Sequence, residues 1–213
     1  MKHFILMADI IDSGIYNQKE LMVDFKQVIN EANNKFKTNL ISPLTITLGD
    51  EFQGLADSLI SAISIIIYIE EQFICKGKGI YLRYVLNYGL IETNINTKIA
   101  YEMLGKGLTD ARKKLLELKK EKSRFYISSQ NETINKILND SFLILQNIIS
   151  EWDPTKDYFL ISKFLSLKDY KIIAKNLHKE RSLIWKREKS LNIKSYLAIQ
   201  NIIMLTSNLK LKK

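Results

Sequence analysis

Apolar positions change period several times along the first 150 residues, and each change marks a new element. Phe4 to Ile11 is a β-branched apolar run and predicts a buried strand. Between Lys19 and Phe36 the period lengthens, placing Leu21, Phe25, Val28, Ile29, Ala32 and Phe36 on one helical face. Pro43 to Leu48 and Phe52 to Leu55 flank Gly49-Asp50-Glu51, which predicts a hairpin with Asp50 at its tip. Ser58 to Phe73 reads as a largely apolar helix, and Tyr81 to Gly89 as the next strand after a turn at Gly77 and Gly79. A Gly105-Lys106-Gly107 turn then leads into a helix from Leu108 to Lys122, with Leu108, Ala111, Leu115 and Leu118 apolar. A short strand, Phe125 to Ser128, and a helix, Glu132 to Ile149, complete this part.

The order β-α-β-β-α-β is the split βαβ, ferredoxin-like arrangement. It places the first strand in the sheet centre beside the hairpin, so that Asp9 and Asp50 face each other across neighbouring strands. After Trp152 the pattern becomes wholly helical. Asp153 caps a helix with Pro154 at its first position, a favoured start, running to about Phe164. Lys168 to Asn176 forms a second short helix, Leu177-His178-Lys179 a turn, and Glu180 to Ser190 a third helix. In this helix-turn-helix pattern Ile173 and Leu177 pack inward, Ala174 lets the helices approach, and Ile184 anchors the third helix. His178 holds the turn position usually given to Gly, and Arg187 stands where an apolar residue is expected. The predicted fold is therefore α+β, with a sheet domain over residues 1–150 and a small all-α helix-turn-helix domain over 151–213.

Charge sharpens that division. Residues 151–213 carry 14 Lys and Arg against 6 Asp and Glu, a net of +8, whereas residues 1–150 carry 18 against 17, a net of +1. A basic segment with periodic apolar positions is the electrostatic footprint of nucleic-acid binding. A solvated face in a Lys-rich chain, or a three-helix domain used for dimerisation, has the same composition. Cys75 is the single cysteine and excludes an internal disulfide framework; His3 and His178 are too few for a zinc finger. Asp9 interrupts the first apolar run and no small-residue cleavage site follows, which argues against a signal peptide. Ser58 to Ile69, an uncharged stretch of twelve residues, falls short of the ~18 needed to span a bilayer. A soluble, cytoplasmic protein without membrane partners is expected.

The candidate chemistry lies at two acidic strand ends, Met7-Ala8-Asp9-Ile10-Ile11 and Thr47-Leu48-Gly49-Asp50-Glu51-Phe52. Asp is depleted in strands, and a buried carboxylate is costly unless paired or bound to a metal. Two capping aspartates are the plainer alternative. Asp12, Ser13 and Glu51 lie beside them, Asp12 as a possible turn cap, and Arg83 opens a strand from which it either faces the site or lies on the surface. Lys106 between two glycines before a helix has the makings of a phosphate contact, but lacks the GxxxxGK[ST] spacing.

Taken in order, Met-Ala-Asp-Ile-Ile-Asp-Ser, Leu-Gly-Asp-Glu-Phe, Leu82-Arg83 running to Gly89, and Gly-Lys-Gly-Leu-Thr-Asp-Ala-Arg resemble the class III nucleotide cyclase catalytic domain, a palm-type fold, over roughly residues 4–128. The resemblance implies that Asp9 and Asp50, with the backbone carbonyl of Ile10, ligate Mg²⁺ or Mn²⁺ and align a nucleoside triphosphate. Such a metal pair, typically ~3.5–4 Å apart, clamps the attacking and leaving oxygens. Lys106 is the candidate nucleotide contact by its own position before a helix, with a turn carrying an exposed Lys as the equal alternative. Departures are equally specific. The Lys that reads the purine in cyclases is Ile46 here, and the transition-state Asn and Arg fall on Thr109 and Lys113, with Arg112 in the Arg role if the alignment slips by one residue. Replacing an Arg fork by Lys and losing the amide weakens charge stabilisation. The resemblance thus implies metal binding rather than cyclisation.

Over its whole length the chain resembles the SatD family, in which a cyclase-like domain carrying Ala-Asp-Ile and Gly-Asp-Glu-Phe-Gln precedes a helix-turn-helix. That resemblance implies the architecture; from the two domains together a homodimeric regulator with a nucleotide and DNA as partners is expected, with a nucleotide cyclase or transferase, or a non-catalytic scaffold, as the alternatives. On the third helix Arg181 and Ser182 would face bases while Lys186 and Lys189 contact phosphates.

Overall fold

Strand β1 (Lys2–Ile10) is the sheet's centre, its run from Ile5 to Asp9 buried on both faces. It pairs antiparallel with β3 (Glu51–Ala56) on one side and with β4 (Leu82–Leu90) on the other. An edge strand β2 (Leu40–Ile46) lies beyond β3, and β5 (Phe125–Ser128) adds parallel to β4, giving the order β2-β3-β1-β4-β5. The computed structural model describes residues 1–209 and shows this mixed sheet wrapped by helices, an α+β fold.

Side chains alternate across the sheet with period two and so feed two separate cores. Leu6, Ala8 and Ile10 enter the larger one, with helices α1 (Gln18–Lys35), α2 (Leu59–Lys76) and α4 (Glu132–Ser150). Ile5 and Met7 enter the smaller one, beneath α3 (Lys106–Leu118) and the segment holding Ile91, Ala100 and Met103. Asn17 caps α1 by accepting from the Lys19 and Glu20 amides, and Ser58 caps α2 through Ser61. The predicted helix over 108–122 starts two residues earlier and ends at Leu118, because Lys119-Lys120-Glu121-Lys122 offers no further apolar position to bury. Its first turn lies against β4. A Cβ on Gly107 would sit 2.5 Å from the Gly89 carbonyl carbon, and one on Gly89 would sit 2.4 Å from the Gly107 Cα. The glycine pair is a packing device that lets a helix rest on a strand backbone.

Beyond residue 150 the helices are α5 (Tyr158–Leu167), α6 (Tyr170–Asn176), α7 (Arg181–Ser190) and α8 (Ile193–Ser207). Two predictions need correcting here. Asp153 does not cap a long helix from Pro154. Its carboxylate accepts from Thr155 and Lys156, holding it well below the usual carboxylate range and closing one turn, and regular helix begins at Tyr158. And α8 lies past the last predicted element. It buries Ile193, Tyr196, Ile199 and Ile203 against α4 and α2. The larger core therefore runs without a break from Leu6 through Phe164, Ile173 and Ile184 to Ile203. Specific bonds reinforce it: Trp152 Nε1 donates to the Leu191 carbonyl at 2.7 Å, and Gln200 Nε2 to Glu71 at 2.6 Å. Among the described residues, no helix is long and apolar enough to cross a membrane.

Candidate functional site

The C-terminal end of β1 carries a cluster of charges on the α3 face of the sheet. Register decides its membership. Asp9 stands opposite Glu51 on β3 and Arg83 on β4, so all three side chains leave the same face. Helix α3 crosses above them and adds two cations. Arg112 pairs with Glu51, and Lys119, the residue that ends α3, places Nζ 3.1 Å from Asp9 Oδ2. Arg83 Nη1 stands 3.6 Å from the same oxygen. Asp9 is only 2% exposed and its other oxygen, Oδ1, is buried without a hydrogen-bond partner. Burial pushes its carboxyl above the ordinary range; Lys119 and Arg83 pull it back, and Glu51 adds to the rise.

Asp50 departs from the expected arrangement. It lies in the turn one residue before β3, opposite Ile10, whose N–H donates to the Asp50 carbonyl at 2.9 Å. A shift of one residue reverses the face, so Glu51 rather than Asp50 stands across from Asp9. The Asp50 carboxylate instead accepts from Ser13 Oγ at 2.6 Å, in the 3-10 turn Ser13–Ile15 that follows β1. Asp12 enters that turn in the left-handed region, φ 50°, and caps it with its backbone carbonyl rather than its side chain. The Ile10 side chain is buried in the larger core.

Beside the charge cluster a groove of about 570 Å³ runs between α3 and the β2–β3 hairpin. Met7, Met103 and Leu108 give it an apolar lining, and Thr109, Arg112 and Lys113 line it from α3. The Thr109 hydroxyl donates back to the Gly105 carbonyl at 3.4 Å, Lys113 is exposed, and Arg112 belongs to both groove and charge cluster through Glu51. Lys106 is exposed at the first position of α3, and its flanking glycines are accounted for by the contact with β4.

Sequence reasoning missed Lys119. Its signal was present: Arg112 and Lys119 are seven residues apart on an amphipathic helix and share a face. Arg83 was legible from alternation, since Leu82, Tyr84 and Leu86 enter the larger core and leave Arg83 and Val85 to the other face.

In the C-terminal half, α6 and α7 meet through a tight turn. Ile173, Ala174 and Ile184 are buried, and Leu177 packs at the edge of the core. His178 adopts the left-handed conformation, φ 50°, while its N–H bonds the Lys175 carbonyl and the Lys179 N–H bonds Ala174 at 3.0 Å. This is the Schellman closure with His in the position that favours Gly. Arg187, at the position where an apolar residue was expected, ties α7 to the turn before α5 through Asp157. Arg181, Ser182, Lys186 and Lys189 are exposed on α7, with Lys189 Nζ 3.9 Å from the centre of the Trp185 ring.

Fold and site together define a mixed α+β protein whose central strand ends in a charge cluster and whose core continues into a helical C-terminal half. The chain belongs to the SatD family: the family's sequence model matches residues 3–205, crossing both halves. Among solved structures it is similar to the catalytic core of a rhodopsin-guanylyl cyclase with converted specificity in complex with ATPalphaS. That similarity has 17% identity and a TM-score of 0.39, over 53% of this chain and 72% of the other. No curated protein matches it.

Proposed function

We propose that this chain is a cytoplasmic regulator whose sheet half binds a nucleotide through Mg²⁺ or Mn²⁺ and whose α6–α7 pair binds DNA. The observation that carries the metal reading is the Asp9 carboxylate, buried at a strand end with Oδ1 unpartnered. A carboxylate left in that state is costly, and a cation relieves it. The donors the reading calls for are all oxygens, the set that hard divalent cations take: Asp9, the Ile10 carbonyl, and Asp50, whose carboxylate would have to leave Ser13 to reach a cation on Asp9. Among the described residues no three His, Cys, Asp or Glu side chains converge at metal-binding spacing. Backbone, water or ligand oxygens would therefore complete the shell. When bound, the cation would offset phosphate charge. The groove beside it has the volume of a small-molecule site, with an apolar lining for a base and with Arg112 and Lys113 for anionic oxygens. Arg112 is already engaged by Glu51 and Thr109 by Gly105, which supports ligand binding over turnover.

The DNA reading rests on the exposed cations of α7 and on its fixed placement by Asp157–Arg187 and Trp152–Leu191. A second copy of the chain would supply the second half-site. Ligand would shift DNA affinity only by the difference in its own affinity for two arrangements. The test is fluorescence anisotropy of a labelled DNA duplex with the full chain, with and without Mn²⁺ and a nucleoside triphosphate. Binding that Arg181→Ala and Lys186→Ala weaken, and that nucleotide shifts, is expected. DNA affinity that is unmoved by nucleotide, by metal and by Asp9→Ala would show that the two halves are uncoupled.

A further inference from the structure

The contact between Lys119 and Asp9 does more than neutralise a buried charge. Lys119 ends α3, where a cation is also favoured by the helix dipole, and its side chain is 44% exposed although the carboxylate it reaches is 3% exposed. It therefore lies on the route from solvent to Asp9. It satisfies only Oδ2; Oδ1 keeps no partner. Arg83, the other cation on that oxygen, is 16% exposed and sits at the start of β4, paired there with β1. The surrounding charges are three cations, Arg83, Arg112 and Lys119, against two anions, Asp9 and Glu51. A divalent cation entering this cluster would meet two positive charges already within 4 Å of one Asp9 oxygen. Of the two, Lys119 is the more exposed and has solvent to move into.

We infer that Lys119 is an internal counter-ion standing in for a divalent cation on Asp9, so that cation binding and the release of the Lys119 ammonium into solvent are one exchange. This rests on the reading of Asp9 as a cation ligand and adds to it that the Lys119 side chain competes with the cation for the Asp9 carboxylate. Cation affinity is set in part by Lys119, and without the cation the chain's own ammonium holds the Asp9 carboxylate.

The experiment is calorimetric titration of the full chain with Mn²⁺ alone, comparing wild type, Lys119→Met and Lys119→Arg. Met keeps most of the stem and removes the competing charge; Arg keeps the charge. The exchange predicts Mn²⁺ affinity about tenfold tighter in Lys119→Met, the equivalent of about 1.4 kcal/mol, with Lys119→Arg close to wild type. Binding of equal or lower affinity in Lys119→Met would overturn the exchange while leaving the metal reading intact. Absence of binding in all three folded proteins would overturn both. Thermal unfolding gives a second readout. Lys119→Met should melt below wild type without Mn²⁺ and gain more from its addition. An equal gain in the two proteins would contradict the exchange.

Discussion

Asp9 and Glu70 are both buried carboxylates of the sheet region, and they differ in how fully they are partnered. Glu70, on α2, receives both prongs of the Arg124 guanidinium at 3.1 and 2.8 Å, and Arg124 also donates to the Leu82 carbonyl at 2.8 Å. That pair is satisfied and closed. Removing one partner leaves the other charge uncompensated, so Arg124→Met should cost about 3–5 kcal/mol in urea unfolding, with Mn²⁺ binding unchanged in the folded fraction. Asp9 has Lys119 at 3.1 Å and Arg83 at 3.6 Å on one oxygen and no partner on the other, the opening that the proposed cation would fill. Glu71 offers a pH test at the junction of the two halves. Burial lifts its carboxyl above the ordinary value, against the Gln200 hydrogen bond and the charges of Lys35 and Lys168. Across the window between the ordinary and the raised value, the folded chain holds more protons than the unfolded one. Its stability therefore falls as pH rises through that window. Glu71→Gln should match wild type below the window and exceed it above, in urea melts from mildly acidic to neutral pH. A difference independent of pH would contradict this.

At the scale of elements, the two tight contacts are the most exposed to substitution. The His178 turn carries a left-handed residue with a side chain, which costs roughly 1–2 kcal/mol, partly offset by the greater unfolded entropy of Gly. His178→Gly should therefore stabilise the chain by about 0.5–1 kcal/mol. A lower melting temperature would mean that the imidazole makes a stabilising contact. Gly107→Ala places a methyl on the β4 backbone and should destabilise by about 1–3 kcal/mol; the groove against α3 should lose ligand affinity with it. Most strands and helices could be read from period alone, because β1, α1 and α3 each bury one clear set of positions. What failed was of a different kind. Helix α8 repeats apolar residues at Ile193, Tyr196, Ile199 and Ile203, but they sit in an otherwise basic, Asn-rich tail whose charge draws attention to α7. Asp50 ends the turn and Glu51, the adjacent acid, opens β3, and only the register shows which of them faces Asp9. Lys119 opens a Lys-Lys-Glu-Lys run whose composition sets no one charge apart. Its role depends on where α3 crosses the sheet, which the glycine contact with β4 sets.

For the molecule as a whole, the unbroken core matters most. Helices α5 and α8 pack onto α2 and α4, and α6 and α7 pack in turn on α5, α8 and each other, so residue 150 marks a change of composition and charge rather than a gap in the packing. The basic helix α7 is thereby connected through α8 and α2 to the sheet that holds Asp9. If α7 lies along phosphates, its affinity for duplex DNA should fall with salt at a slope of about −0.9 per phosphate contacted, and Lys186→Ala should lower that slope by about one. A salt-independent signal would contradict phosphate contact. The nucleotide site is tested most directly by calorimetric titration of the full chain with a nucleoside triphosphate in Mn²⁺, run beside Asp9→Ala and Asp50→Ala proteins shown to be folded. Binding in the wild type that is lost in both variants is the predicted result. A wild type that binds no nucleotide, or variants that bind as it does, would contradict a metal-dependent nucleotide site at the end of β1.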